Sequence, residues 1–369
     1  MIDNRMKTII LTIDDIRHIA QKVSLNTLMD DLIARLTQTF AEYKSDMYVC
    51  PPRAGFTYDE PHTGLVEWMP IMASGLQATI KVVSYHPENP HTHQLPTILA
   101  TTSAYDTSSG HLIGLTDSTF LTALRTGAVS AIASRILAQP TAGTVGLIGA
   151  GAQAITQLHA LTRVFDLEQA VVYDIDPHAS HSFAERAGFL GVPIEVITQP
   201  QLDKLVQSAD ILCTATSNEV GVGPVFNDVE SKPWLHVNAV GSDFPGKTEV
   251  PLSLLKRSVV CPDFPEQAMK EGECQQLTPS QVGPSLVELV KRPLAFQHLS
   301  DTITVFDSTG WALEDQVAMQ MMLDYATDLK IGHFLQVESI SADPKDPYLF
   351  LKDKTNTPIL NGRYAIQGR

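Results

Sequence analysis

The stretch Thr144-Val145-Gly146-Leu147-Ile148-Gly149-Ala150-Gly151-Ala152-Gln153-Ala154 decides the fold. A short apolar run, a glycine turn and a series of good helix formers follow one another, the order of a buried strand, a tight turn and a helix. Gly149 permits the turn, and Gly151 removes the side chain where a pyrophosphate would approach. The helix that starts after them would offer unpaired N–H groups and the positive end of its dipole to that anion. Ala154 stands in place of the third glycine, which the fingerprint tolerates. The plain alternative is a strand, turn and helix with no ligand. An acidic residue then closes the next apolar run, Val171-Val172-Tyr173-Asp174-Ile175-Asp176. Asp174 is where a partner for the ribose hydroxyls is expected, and a carboxylate there would repel the extra phosphate of NADP, so the pattern favours NAD. Asp176 precedes Pro177 and reads as the cap of the next helix.

Outward from this stretch, short apolar runs alternate with helical ones. Strands are expected at Thr144–Ile148, Ala170–Asp174, Ile194–Thr198, Ile211–Ala215, Leu235–Val240, Ser258–Cys261 and Thr302–Phe306, with helices at Gln153–Val164 and His178–Ala187. Repeated βαβ units of this kind build a parallel sheet covered on both faces. The first 140 residues differ: a helical stretch at Asp14–Glu42, then extended segments near Gly64–Met69, Gln77–Val83 and Thr97–Tyr105, then a strongly apolar helix at Ser118–Leu137. Pro140 disfavours helix and marks the boundary. A chain of 369 residues exceeds what one core holds, so two domains are expected. The helix expected at Ala312–Leu329 is too apolar for a surface cap and should pack back on the first domain. The expected fold is α/β: a Rossmann dinucleotide-binding domain over 139–311, and a discontinuous α+β substrate and dimerisation domain built from 1–138 and the returning 312–369. The tail from Ser341 carries weak signals, and no internal repeat is found.

Forty-one Asp and Glu against 26 Lys and Arg give a formal charge of −15, which repels both nucleic-acid phosphates and anionic membrane surfaces; neither partner is expected. The acidic residues are scattered, as on a solvated surface. Cys50, Cys213, Cys261 and Cys274 lack the paired spacing of a zinc site or disulfide framework. The start, Met1-Ile2-Asp3-Asn4-Arg5, is polar and shows no secretory signal. Even 143–161 is interrupted by Gln153, Gln157 and His159, so no membrane span is expected and a cytoplasmic, thiol-reducing location is.

Arg53, Lys81 and Arg125 each sit beside small, turn or apolar residues rather than in a charge run, which makes them candidate anion clamps. A lone arginine is more often structural, and only convergence in space would unite the three. Arginine binds a carboxylate through two parallel hydrogen bonds; lysine is a point charge whose pKa falls on burial. The turn Asn238-Ala239-Val240-Gly241-Ser242-Asp243 follows a parallel strand, where ligands of such sheets bind. Asp243 is therefore a candidate site residue, or an aspartate that only stabilises a turn. His86, His91 and His93 crowd one proline-rich loop, but a metal site needs more ligands and ordered support, so no metal is expected. No nucleophile elbow or other acyl-transfer motif occurs.

Several motifs in order carry a resemblance: Gly64-Leu65-Val66-Glu67-Trp68-Met69-Pro70, Lys81-Val82-Val83-Ser84-Tyr85-His86-Pro87, Ala123-Leu124-Arg125-Thr126, the glycine loop, Asn238 to Glu249, Val305 to Asp315, and Asp343-Pro344-Lys345-Asp346. The chain resembles the ornithine cyclodeaminase/mu-crystallin family from about Phe40 onward. Within that family, Glu67 and the Pro245-Gly246-Lys247-Thr248-Glu249 wording resemble the cyclodeaminases more than the alanine dehydrogenases. The resemblance implies a homodimer and a redox-neutral cycle that converts L-ornithine to L-proline and ammonia with NAD. Its alternatives are a lysine cyclodeaminase, a cyclic imine reductase or an amino-acid dehydrogenase. It implies that Arg53, Lys81 and Arg125 hold the substrate carboxylate and that Glu67 and Asp243 address its amino groups, with Asp243 and Lys81 catalytic. The cofactor would touch Thr97, Arg125, Gly149, Gly151, Ala152, Gln153, Asp174, Thr214 and Ser308.

Overall fold

A computed structural model describes residues 7–341 and 343–351, so the readings of residues 1–5 and of the tail beyond 351 lie outside the described residues. The first sheet has eight strands: β1 (Thr8–Leu11), β2 (Tyr48–Val49), β3 (Ala54–Tyr58), β4 (Gly64–Ala73), β5 (Gln77–Tyr85), β6 (Ile98–Asp106), β7 (Leu112–Asp117) and a strand from the far end of the chain, His333–Leu335. That last strand pairs antiparallel with β1, and β1 pairs parallel with β7. The order continues β7-β6-β5-β4-β2, with β3 also on β4. Segments more than 300 residues apart in sequence thus build one sheet.

Alternation along the strands gives this sheet two faces. The pairs Met69↔Lys81 and Glu67↔Val83 lie on one face, and Trp68↔Val82 lies on the other. The helix Ala312–Leu329 packs on the first face, where its Gln316 donates to Thr79 Oγ1 at 3.1 Å.

The second sheet has β8 (Thr144–Ile148), β9 (Gln169–Tyr173), β10 (Ile194–Val196), β11 (Ile211–Thr214), β12 (His236–Ala239), β13 (Val259–Pro262) and β14 (Thr304–Asp307). All seven match the expected strands to within two residues at either end. The order is β10-β9-β8-β11-β12-β14-β13, and every pairing is parallel. Strand order reverses between β8 and β11, which opens a crevice at their carboxyl ends. Apolar residues on alternate sides of the strands feed two cores, one around Val145, Leu147, Leu158 and Phe183, the other around Ile148, Val171, Leu212 and Val237.

Three expectations need correction. The helical stretch at Asp14–Glu42 is two helices, Ile13–Val23 and Leu25–Glu42, broken at Ser24, which takes φ +75° and caps the second helix through Thr27 N. Serine competes for backbone donors in this way, and periodicity does not report it. The strands β1, β2, β3, β7 and His333–Leu335 carried no recognised signal: β1 and His333–Leu335 are short and owe their places to neighbours distant in sequence, while β3 and β7 are hairpin partners of β4 and β6. Finally, a helix long and apolar enough to cross a membrane does exist: Thr119–Leu137. It is a core helix, with 78% of its apolar window buried. Gly127 on it lets Thr156 of the helix Ala152–Thr162 approach so closely that a Cβ would overlap the Thr156 carbonyl.

Candidate active site

The glycine turn adopts the conformation its residues require. Gly149 has φ +96°, and a Cβ on it would stand 2.5 Å from the Ala215 carbonyl oxygen. Gly151 is the N-cap of the helix Ala152–Thr162, makes no side-chain cap, and faces open space with nothing within 4 Å of where a Cβ would be. That is the space an approaching pyrophosphate needs, beside free helix N–H groups. Asp174 follows β9; its Oδ2 accepts from Ala150 N at 2.7 Å and its Oδ1 from Asp176 N at 2.8 Å, which fixes the carboxylate at the edge of the crevice. Asp176 caps the next helix by accepting from His178 N at 2.8 Å.

A cavity of about 640 Å³ fills the crevice, and Thr97, Gly149, Gly151, Ala152, Gln153 and Asp174 line it. The residues fit a dinucleotide with free ribose hydroxyls, and the cofactor is NAD. Three expected cofactor residues do not line this cavity. Thr214 is fully buried behind it, because its hydroxyl donates to Glu249 Oε2 at 2.7 Å. Ser308 is also buried and bonds through its backbone to Ala239 O at 2.9 Å. Arg125 lines the neighbouring cavity instead, where acidic partners draw its guanidinium.

That second cavity, of about 710 Å³, brings Arg53, Glu67, Lys81, Arg125 and Asp243 together. Residues up to 190 positions apart in sequence converge on one space. Lys81 is 1% exposed, and its Nζ donates to both oxygens of Asp315, at 3.0 and 3.2 Å. Burial lowers the Lys81 pKa to about 8 against the pull of Asp315. Arg125 donates through Nε to Asp315 at 3.1 Å and through Nη1 to Glu314 at 2.7 Å. Burial alone would raise the Asp315 carboxyl, but Arg125 and Lys81 outweigh it and hold the group below its ordinary range. Gly310, at φ +83°, lies against Arg125; a Cβ there would be 2.6 Å from the guanidinium.

Arg53 is pinned on three sides. Its Nη2 donates to the Thr309 and Gly310 carbonyls at 3.0 and 2.9 Å, its Nη1 to Glu67 at 3.2 Å, and its Nε faces Glu271 at 3.1 Å. Burial pushes Glu271 up to about 7, against the pull of Arg53. Burial also raises Glu67. Three cations therefore share a cavity in which burial disfavours the charged forms of Glu67 and Glu271, while Lys81 and Arg125 favour the charged form of Asp315 between them.

Asp243 lines both cavities, as do Tyr85 and Lys247. Its Oδ1 accepts from Lys247 Nζ at 3.0 Å, and the Lys247 ammonium lies 5.8 Å from the centre of the Tyr85 ring. Asp243 thus stands at the seam of the two spaces. Sequence reasoning did not single out Lys247, Glu271, Glu314, Asp315 or Tyr85. Two signals were available: Lys247 stands four residues after Asp243, and Glu314 and Asp315 are adjacent acids in an otherwise apolar helix. In the histidine loop, His86 hydrogen-bonds the Tyr58 hydroxyl at 2.7 Å. Among the described residues no cluster of three His, Cys, Asp or Glu side chains could hold a metal ion.

Comparison with known proteins agrees with this geometry. An L-lysine cyclodeaminase of Streptomyces rapamycinicus is 43% identical over 344 residues, 93% of this chain and 99% of that protein. An ornithine cyclodeaminase of Agrobacterium tumefaciens is 29% identical over 338 residues, 92% of each. A solved lysine cyclodeaminase, studied for its recognition of L-lysine, L-ornithine and L-2,4-diaminobutyric acid, superposes with a TM-score of 0.90 at 46% identity, covering 94% of this chain and all of that one. The sequence profile of the ornithine cyclodeaminase/mu-crystallin family matches residues 14–330, and the chain belongs to that family.

Proposed function

We propose that this protein is an NAD-dependent diamino-acid cyclodeaminase whose preferred substrate is L-lysine. The expectation of ornithine gives way to lysine because the relative at 43% identity is a lysine cyclodeaminase, whereas the ornithine cyclodeaminase stands at 29%. The observation that carries the reading is the convergence of Arg53, Lys81 and Arg125 at one end of a cavity that also holds Glu67 and Asp243. The domain division at 138/139 and 311/312 follows from the same reading, with the substrate cavity between the two sheets.

Arg53, Lys81 and Arg125 clamp the substrate carboxylate and so fix the α-carbon toward the dinucleotide cavity. Thr97, the glycine turn, Gln153 and Asp174 hold the cofactor. Bound NAD supplies a reversible hydride acceptor at the α-carbon, so that the cycle as a whole is redox neutral. Glu67 stands two residues along β4 from the Met69↔Lys81 pair, about 7 Å, within reach of the far amine of a four-methylene chain. Asp243, at the seam, accepts a proton from the attacking amine and returns one to the departing ammonia. With lysine, attack of the ε-amine on the α-imine carbon closes a six-membered ring; loss of ammonia and return of hydride leave piperidine-2-carboxylate. A dimer fits the outer face of the first sheet, where Phe56, Trp68 and Val82 are exposed.

The test is ammonia release from L-lysine, L-ornithine, L-2,4-diaminobutyrate and L-alanine with catalytic NAD⁺. Lysine should give ammonia and cyclic product in equal amounts, at the highest kcat/KM and with no build-up of NADH. NADH rising in step with product would indicate a dehydrogenase instead, and lysine yielding neither ammonia nor ring would refute the assignment.

A further inference from the structure

Four donors meet on a buried carboxylate that lines neither cavity. Glu249 is fully buried. Its Oε1 accepts from Thr216 N at 2.7 Å and Thr216 Oγ1 at 2.6 Å, and its Oε2 accepts from Thr214 Oγ1 at 2.7 Å and Gly241 N at 2.8 Å. Thr214 ends β11, and Thr216 belongs to the segment that walls the dinucleotide cavity. Gly241 opens the turn that carries Asp243. Only glycine fits there, since a Cβ would overlap the Glu249 carboxylate. Glu249 is itself anchored: its N–H donates to Glu273 Oε1 at 2.7 Å, and its carbonyl accepts from Val225 N at 2.9 Å.

We propose that Glu249 is a positioning residue that ties the segment after β11 to the Asp243 turn after β12, so that cofactor seating and the placing of Asp243 depend on one side chain. What the two segments do is taken from the functional reading above. The chemistry of the side chain suits the task. A carboxylate offers two acceptor oxygens, and here each meets two donors: three of the four come from Thr214 and Thr216, and the fourth, Gly241 N, comes from the Asp243 turn. Glutamine would turn an NH₂ group toward donors that it cannot satisfy, and the loops would part to relieve the clash. The Pro245-Gly246-Lys247-Thr248 run between Asp243 and Glu249 is then the closed connection that brings the clamp back onto the turn it holds.

The experiment uses E249Q and T214V in the full chain. NADH affinity is measured by fluorescence titration with no amino acid present, and steady-state kinetics follow with L-lysine. E249Q should weaken NADH about tenfold and lower kcat about thirtyfold, with KM for lysine within about twofold, because the cation clamp does not touch Glu249. T214V removes one of the four donors and lines neither cavity; it should move NADH affinity and kcat in the same direction, by about threefold each. A purely structural role would lower the melting temperature and leave both quantities within twofold of wild type in the folded variants, which overturns the proposal. So does a loss confined to one of the two. Should E249Q fail to fold, T214V decides by the same criteria. Wild-type protein that binds NADH but turns over no diamino acid would mark failure of the functional reading, and the NADH affinities of the variants would still decide this one.

Discussion

Lys81 shows at the scale of one residue how burial converts a common side chain into a pH-dependent one. Its ammonium has left water for a space shared with Arg125 and Arg53, and Asp315 offsets the cost only in part, so its pKa falls from 10.5 to about 8. The sign is set by which form binds. The charged form attracts a carboxylate, and that form is lost as pH rises through about 8. We expect kcat/KM for L-lysine to fall above about pH 8, with the alkaline limb absent in K81R, whose guanidinium keeps its proton. Steady-state profiles from pH 6 to 10 would check this, and an identical limb in K81R would sink the role given to Lys81. The residue types needed for a carboxylate clamp were legible in the sequence, but their partners were not. Asp315 meets Lys81 across 234 positions and Arg125 across 190, distances over which no periodicity or turn rule speaks.

At the scale of elements, the helix Thr119–Leu137 is buried on nearly every side, as a helix at the junction of two sheets must be. It carries Arg125 inward to the cavity shared with Arg53 and Lys81, while Gly127, two residues on, meets the backbone of the helix that begins at the glycine turn. Spacing between the two helices therefore sets the distance between Arg125 and the glycine turn. G127A should force them apart and destabilise the protein by about 1–3 kcal/mol. The urea midpoint would read the loss, and a variant as stable as wild type would show that the contact yields without cost. The strands of the second sheet were legible because each is a continuous apolar run between turn residues. Those of the first sheet were legible only in part, since β1 and His333–Leu335 are too short to carry a pattern and pair with one another from opposite ends of the chain.

For the whole molecule, the outer face of the first sheet sets the expectation. Phe56, Trp68 and Val82 are 66%, 36% and 40% exposed, and the Phe56 and Trp68 rings lie edge to face at 5.6 Å. An exposed apolar face of this kind on a sheet calls for a cover. A second copy of the chain is the cover implied by the family resemblance. Wild-type protein should sediment as a dimer, and W68E combined with V82E should shift it to monomer without loss of secondary structure, because neither side chain is in the core. A monomeric wild type would end this expectation.

The sequence by itself determined the dinucleotide fold, its NAD preference and the family. Those rest on local features: a strand, a glycine turn, a helix N-terminus and an acid at the next strand end lie within 31 residues, from Thr144 to Asp174. Tertiary structure alone decided which candidates share a cavity, turned Thr214 and Ser308 away from the crevice at the glycine turn, and left Arg125 in the cavity of Arg53 and Lys81 alone. It also brought Glu249 onto two loops at once. The physical reason is the same in each case: a side chain's direction and charge state are set by what packs against it, and here the packing partners come from strands and helices far away in the chain.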